Sequence, residues 1–88
     1  MSQTELAGQV DALRGMIESK LGEAVALANA LVEISDVGFA ISGNADSAKA
    51  GELSAVVIGA RTLIEEACGA LGSATSVCNE WAAALRAT

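Results

Sequence analysis

The side chains that could carry out chemistry in this 88-residue chain are two cysteines and a small number of carboxylates. The sequence has no histidine, which excludes histidine acid–base catalysis and Ser-His or Cys-His nucleophiles. Cys68 and Cys78 are separated by about 15 Å if they share a helix that rises about 1.5 Å per residue, which is too far for a disulfide. We predict that Cys78 is a small core residue, and that Cys68 either packs beside the core or cross-links a dimer on oxidation.

The carboxylate pairs are Glu65 with Glu66 and Glu33 with Asp36. Adjacent residues on a helix point about 100° apart, so Glu65 and Glu66 do not converge on one site. Two cysteines without histidine also lack the ligands of a zinc site. We therefore expect surface carboxylates, no catalytic residue, no metal site, no cofactor and no enzymatic activity.

Apolar residues recur at alternating steps of four and three residues along two segments. This spacing is typical of long α-helices that pack along one stripe. The first pattern comprises Leu6, Val10, Leu13, Ile17, Lys20, Ala24, Leu27, Leu31, Ile34, Gly38 and Ile41. The second comprises Leu53, Val57, Ala60, Ile64, Ala67, Leu71, Ala74, Cys78, Trp81 and Leu85.

Capping signals set the predicted helix boundaries. Ser2 and Glu5 have the spacing of a capping box, and Gly43 suits the position after a helix C-terminus. We predict helices over about 3–42 and 47–86, joined by a turn at about 43–46. The chain is then a single all-α domain over 1–88, an antiparallel helical hairpin.

Many apolar residues lie outside these two patterns, in a chain that is 52% hydrophobic. A lone two-helix hairpin would leave them in water, which is unfavourable by about 25 cal/mol per Å². We therefore expect a dimer, or a complex with a related hairpin, that closes a four-helix bundle. The residues predicted at this interface are Val25, Val32, Phe39, Val56, Leu63, Val77 and Trp81. Trp81 is also interpreted as a core residue beside the start of the first helix.

Acidic residues outnumber basic ones by 11 to 5, and the basic residues are scattered. Nucleic-acid binding depends on clustered Lys and Arg, so we expect no nucleic-acid partner. The longest uncharged stretch, 67–79, is shorter than the ~20 apolar residues of a spanning helix, so we expect no direct membrane insertion. The N-terminus lacks signal-peptide features, which predicts a protein made in the cytoplasm and leaves export in the folded state open.

Three features leave alternatives open. Lys20 is the one charged member of the apolar patterns, and it either sets the register of an assembly or extends to water near Glu23 or Glu18. Small residues at Gly8, Gly15 and Gly22 form a stripe that is either solvated or approached closely by other helices. Gly69 and Gly72 make residues 69–73 the most favourable place for the second helix to bend or break.

The break between the helices, with Ile41, Gly43 and Asn44, resembles the turn of the WXG100 family, in which the pattern is Trp-x-Gly. Ile41 stands in the place of the tryptophan. The family's C-terminal Tyr-x-x-x-Asp/Glu export signal has no counterpart, since Leu85 lies four residues after Trp81. The resemblance implies a dimeric helical hairpin of type VII secretion, either a partner without the signal or a helper of a larger effector.

Three functions follow from these patterns. The first is a non-enzymatic interaction module that pairs with itself, a related hairpin or a larger effector. The second is a structural subunit that assembles into a larger oligomer or filament, including phage or virion layers. The third is an acidic inhibitor or antitoxin that covers a basic site, for which binding should weaken at moderate salt.

Overall fold

The computed structural model describes residues 1–42 and 47–87 and contains two long helices, α1 (Gln3–Ser42) and α2 (Ser47–Ala87). No strand occurs within these ranges. The prediction of an all-α helical hairpin is confirmed, and both helices begin and end within one residue of the predicted boundaries. The four-helix bundle stays a prediction. The turn residues Gly43 and Asn44 lie outside the described residues.

The N-terminus of α1 has the predicted cap. The backbone N–H of Glu5 donates to the hydroxyl oxygen of Ser2 at 3.1 Å, and the N–H of Leu6 donates to the carbonyl of Ser2 at 3.0 Å. The first bond satisfies an N–H group that has no acceptor within the helix, and the second is the first i→i−4 bond of α1, so both favour initiation at this point.

The second helix continues without a break through Gly69 and Gly72. The hydroxyl of Ser73 donates to the carbonyl of Gly69 at 3.2 Å, and that of Ser76 donates to the carbonyl of Gly72 at 3.4 Å. These bonds provide polar partners for the helix backbone beside both glycines, and the chain has no proline to interrupt the helix.

The hairpin comprises two compact units, each formed by one part of α1 and one part of α2. The terminal unit contains Met1–Glu23 and Cys68–Thr88, and the central unit contains Ala24–Ala67. Each unit takes segments from both helices and therefore has its own interface between the helices. The two interfaces differ in how many apolar residues they bury.

The terminal unit has a small apolar core. Val10 packs with Cys78 and Ala82, and all three are buried, while Ile17 and Leu85 pack against them. Cys78 is therefore a core residue, as predicted.

Trp81 lies outside this core and is 52% exposed. The interpretation of Trp81 as a core residue is therefore wrong. The small side chain of Ala82, the next residue, occupies the buried position instead.

The central unit has almost no core. Among its described residues the one buried apolar side chain is Ala28. Three large side chains, Leu31, Val57 and Ile64, lie between its helices and are half-buried, and the other half-buried residues there are small, namely Ala24, Ser35, Gly38, Ala50 and Ser54. Since none of these residues is fully buried, packing within this unit removes limited apolar surface from water.

Candidate interaction surface

Both helices present a seven-residue repeat to each other. We label its positions a to g, with Val10 of α1 and Val57 of α2 at position a. From Val10 in α1 and from Ala50 in α2 onward, the residues at a are all buried or half-buried. They are Val10, Ile17, Ala24, Leu31 and Gly38 in α1, and Ala50, Val57, Ile64, Leu71, Cys78 and Leu85 in α2. Position a makes up about half of each predicted apolar pattern. For this half, the prediction that the residues lie between the helices is confirmed.

Position e, four residues after a, completes the interface between the helices. Its buried or half-buried members are Ala7, Arg14, Leu21, Ala28 and Ser35 in α1, and Ser54, Cys68, Thr75 and Ala82 in α2. Arg61 is the exposed member of this series. Most of these side chains are small, which allows the helix backbones to approach closely.

The sequence pattern predicted that position d would line the interface, and for six large residues this was wrong. Leu13, Leu27, Ile34, Ile41, Leu53 and Trp81 are between 42% and 59% exposed. Leu6, Ala60 and Ala74 are half-buried at the same position. The large d side chains flank the interface because the smaller e side chains take the space between the helices.

A second set of large apolar residues lies next to position d, at position g. Met16, Val37, Val56, Leu63 and Val77 are between 59% and 70% exposed. We call these exposed apolar residues at d and g the d/g face. In the central unit it comprises Leu27, Ile34, Val37, Ile41, Leu53, Val56 and Leu63; in the terminal unit, Leu13, Met16, Val77 and Trp81.

Both helices contribute to one side of the central unit at this face. A groove of about 360 Å³ is lined by Glu33, Ile34, Val37, Gly38, Ile41 and Leu53. Four of these six residues belong to the d/g face, and they come from both helices. The large apolar side chains of Ile34, Val37, Ile41 and Leu53 therefore border one groove in this unit.

The opposite side of each unit carries position b, which we call the b face. In the central unit its apolar members are Val25, Val32, Phe39 and Ile58. In the terminal unit the b positions are polar and include Asp11, Glu18, Asn79 and Arg86. The seven residues predicted at the partner interface therefore fall on two faces. Val25, Val32 and Phe39 lie on the b face, whereas Val56, Leu63, Val77 and Trp81 lie on the d/g face.

The polar b face of the terminal unit links its two helices. Arg86 donates a hydrogen bond to Asp11, and Arg14 donates to the side-chain carbonyl of Asn79 at 2.7 Å. The hydrogen bond from Arg86 lowers the pKa of Asp11, and the positive charge of Arg14 acts in the same direction. The bond with Asp11 raises the pKa of Arg86.

Lys20 lies at position d and pairs with Glu23 at 3.1 Å. Its side chain is 70% exposed, so it extends to water in the single chain. The predicted contact with Glu23 is present. Lys20 and Glu23 occupy positions d and g, so two charged side chains interrupt the d/g face in the terminal unit.

The carboxylate pairs of the sequence do not form a reaction centre. Glu65 pairs with Arg61 at 2.9 Å, and Glu33, Asp36 and Glu66 are exposed. Within residues 1–42 and 47–87, no three His, Cys, Asp or Glu side chains are grouped to hold a metal ion. Cys68 is half-buried, and both cysteines are free thiols.

The chain matches no protein-family model, no curated protein and no solved structure. Among the described residues, α1 is long and apolar enough, by length and composition alone, to cross a membrane. Its most apolar stretch is not buried in the single chain. The expectation of no membrane insertion stays a prediction.

Proposed function

We propose that this protein is a non-enzymatic interaction module, a helical hairpin that works by associating with another helical protein. The observation that supports this proposal most directly is the d/g face, which holds most of the large apolar side chains exposed in the described residues. Exposed apolar surfaces of this extent are typical of protein interaction sites.

The distribution of packing between the two units favours the same proposal. The terminal unit has a buried cluster of Val10, Cys78 and Ala82, whereas the central unit buries Ala28 alone among its described residues. A partner that covers the central unit would supply the apolar contacts that the unit lacks. The sequence of the break between the helices, with Ile41 and Gly43, resembles the turn of the WXG100 family, and on that resemblance we extend the proposal to a role in type VII secretion as a partner of a related hairpin or effector.

Size-exclusion chromatography with multi-angle light scattering tests the proposal on the full chain at low and high micromolar concentration in reducing buffer. We expect a dimer with far-ultraviolet circular dichroism typical of helices. A well-folded monomer at all concentrations, with no association on mixing with proteins encoded beside it, would contradict the proposal.

A second candidate function is a structural subunit of a larger assembly. Gly8, Gly15 and Gly22 form an exposed stripe on α1, and a Cβ atom placed at each would meet nothing within 4 Å. The packing of the hairpin therefore does not require glycine at these positions. A close contact with another chain would explain why these residues are glycines. Under this alternative, negative-stain images show large assemblies, and Gly15→Leu reduces them to a simple dimer.

A further inference from the structure

Unpaired carboxylates border the d/g face of the central unit. Glu33 of α1 lines the groove of about 360 Å³ on this face, together with Val37. Residues three or four apart on a helix are neighbours, so Glu66 of α2 lies beside Leu63 at position g. Both carboxylates are exposed at position c, and neither forms an ion pair within the described residues. Each helix therefore contributes an unpaired negative charge to the edge of this face.

The chain has no unpaired basic side chain to neutralise these charges. Each of its five Lys and Arg residues forms an ion pair within its own chain. In the central unit the pairs are Lys49 with Glu52 and Arg61 with Glu65, both at 2.9 Å. The described carboxylates without such a partner are Glu5, Glu33, Asp36, Glu66 and Glu80. Their negative charge is therefore unmatched within the hairpin.

A second copy of the chain does not supply the missing positive charge. Copies related by a two-fold axis can exchange ion-pair partners, but each copy brings a net charge of −6, so the exchange leaves as many carboxylates unmatched as before. Self-association through this face also brings two acidic edges together. The charges of the face therefore favour a partner that carries its own Lys and Arg.

The apolar centre of the face defines the rest of the partner's chemistry. The d and g positions of α1 in this unit run from Leu27 to Ile41, a length of about 21 Å at a rise of about 1.5 Å per residue. An amphipathic helix of about four turns covers this length and packs its apolar stripe against the d and g side chains. Basic residues on both sides of that stripe then lie near Glu33 and Glu66, as charges do beside a coiled-coil seam.

From these observations we infer that the d/g face of the central unit binds an amphipathic helix of a different protein, with an apolar stripe flanked by Lys or Arg on both sides. This inference rests on the proposed function and names the chemistry of the partner. The apolar side chains provide most of the contact, and Glu33 and Glu66 favour a basic helix over an acidic one. Self-association of the purified chain uses the same face and is displaced by this partner.

Two synthetic amphipathic peptides test this inference on the full chain. One has leucine along one stripe and lysine elsewhere, and the other has glutamate in place of each lysine. The variant Glu33→Gln with Glu66→Gln removes the charges at the edge of the face. Its control, Glu5→Gln with Glu80→Gln, removes two unpaired, exposed carboxylates of the terminal unit and changes the net charge equally. Isothermal titration calorimetry gives the dissociation constants, and circular dichroism checks that the helices are retained.

We expect the wild type to bind the lysine peptide at least about tenfold more tightly than the glutamate peptide. The Glu33→Gln, Glu66→Gln variant should bind the lysine peptide about three- to tenfold more weakly than the wild type, and the control should stay within about twofold of it. Equal binding of both peptides, or an equal loss in both variants, overturns the inference and leaves the proposed function intact.

A second pair of variants locates the contact. Val37→Ser with Val56→Ser changes position g on both helices and should weaken binding of the lysine peptide at least about tenfold, whereas Val25→Ser with Ile58→Ser, on the b face, should change it less than about twofold. The reverse order of these effects overturns the inference.

Other occupants of the face give other results. If the lysine peptide does not displace a dimer of the chain, the second copy is the occupant and the inference fails, while the proposed function stands. If the chain binds phosphatidylcholine vesicles and neither peptide, the face binds lipid and the inference fails. A chain that associates with no peptide, no second copy and no other protein contradicts both the inference and the proposed function.

Discussion

Arg86, in the last turn of α2, donates a hydrogen bond to the carboxylate of Asp11 in α1. The two residues are both at position b, so their contact joins the helices on the polar side of the terminal unit. The bond holds the pKa of Asp11 below its ordinary value, and the pKa of Arg86 lies above its own. Arg86 is therefore protonated throughout the acid range, and Asp11 alone makes this contact depend on acid pH.

The contribution of Asp11 to stability should disappear in acid. Because its pKa is lowered on folding, the contribution is fully present above the unfolded pKa and is lost as pH falls through the folded pKa. We expect Asp11→Asn to be less stable than the wild type at about pH 6, and we expect this difference to shrink as the pH falls below the unfolded pKa of Asp11. Urea unfolding of both proteins across this range measures the difference between their free energies of unfolding. The other carboxylates titrate in both proteins, so their contribution cancels in this difference. A difference that is constant with pH would show that the ion pair is unimportant.

Replacing Ala82 with leucine should destabilise the terminal unit. Ala82 is 2% exposed at position e, between the helices, and a larger side chain there forces them apart. We expect Ala82→Leu to lower the free energy of unfolding by about 1–3 kcal/mol. The control is Ala83→Leu at the exposed neighbouring position, which should change it by less than about 0.5 kcal/mol. Equal effects in urea titrations would mean that position e does not face α1.

Replacing Gly15 with alanine should stabilise the protein. A Cβ atom at this position meets nothing within 4 Å, and the residue lies in the interior of α1. We expect a gain of about 0.5–1 kcal/mol because alanine loses less backbone entropy on folding. Thermal unfolding followed by circular dichroism measures the gain. A loss of stability at constant oligomeric state would indicate that a partner chain packs closely over Gly15.

Trp81 should report whether association also covers the terminal part of the d/g face. It is the one tryptophan of the chain and is 52% exposed at position d. We expect its fluorescence to shift to shorter wavelength as the wild type dimerises with increasing concentration, because a large aromatic residue at an interface loses contact with water. A double variant, Leu27→Lys with Leu63→Lys, places two charges on the d/g face of the central unit and should show no shift. A wild-type dimer without a shift would place Trp81 outside the contact.

The helix boundaries illustrate what local sequence determines. Ser2 caps α1 through Glu5, and α2 begins at Ser47, as the capping residues and the polar segment between the apolar patterns predicted. These features depend on contacts within one or two turns of helix, which are encoded by neighbouring residues. Position a follows from the same kind of information, because it belongs to the apolar stripe whether the other position of that stripe is d or e.

The choice between positions d and e could not be made from the pattern. In α1, Leu27 at d and Ala28 at e are both apolar, and either could lie between the helices. In α2 the same choice falls between Trp81 and Ala82. Side-chain size favours the larger residue in each pair, since large apolar side chains gain most from burial. That criterion ignores the distance between the helix axes.

The sequence by itself determined two long helices, their boundaries and the absence of histidine chemistry, because composition and short-range spacing are enough for each. The tertiary structure decided that Ala28 and Ala82 face inward while Leu27 and Trp81 face outward. The smaller residue of each pair lies between the helices, and its larger neighbour lies to one side of the pair. The d/g face arises from that packing geometry, which involves residues far apart in the chain.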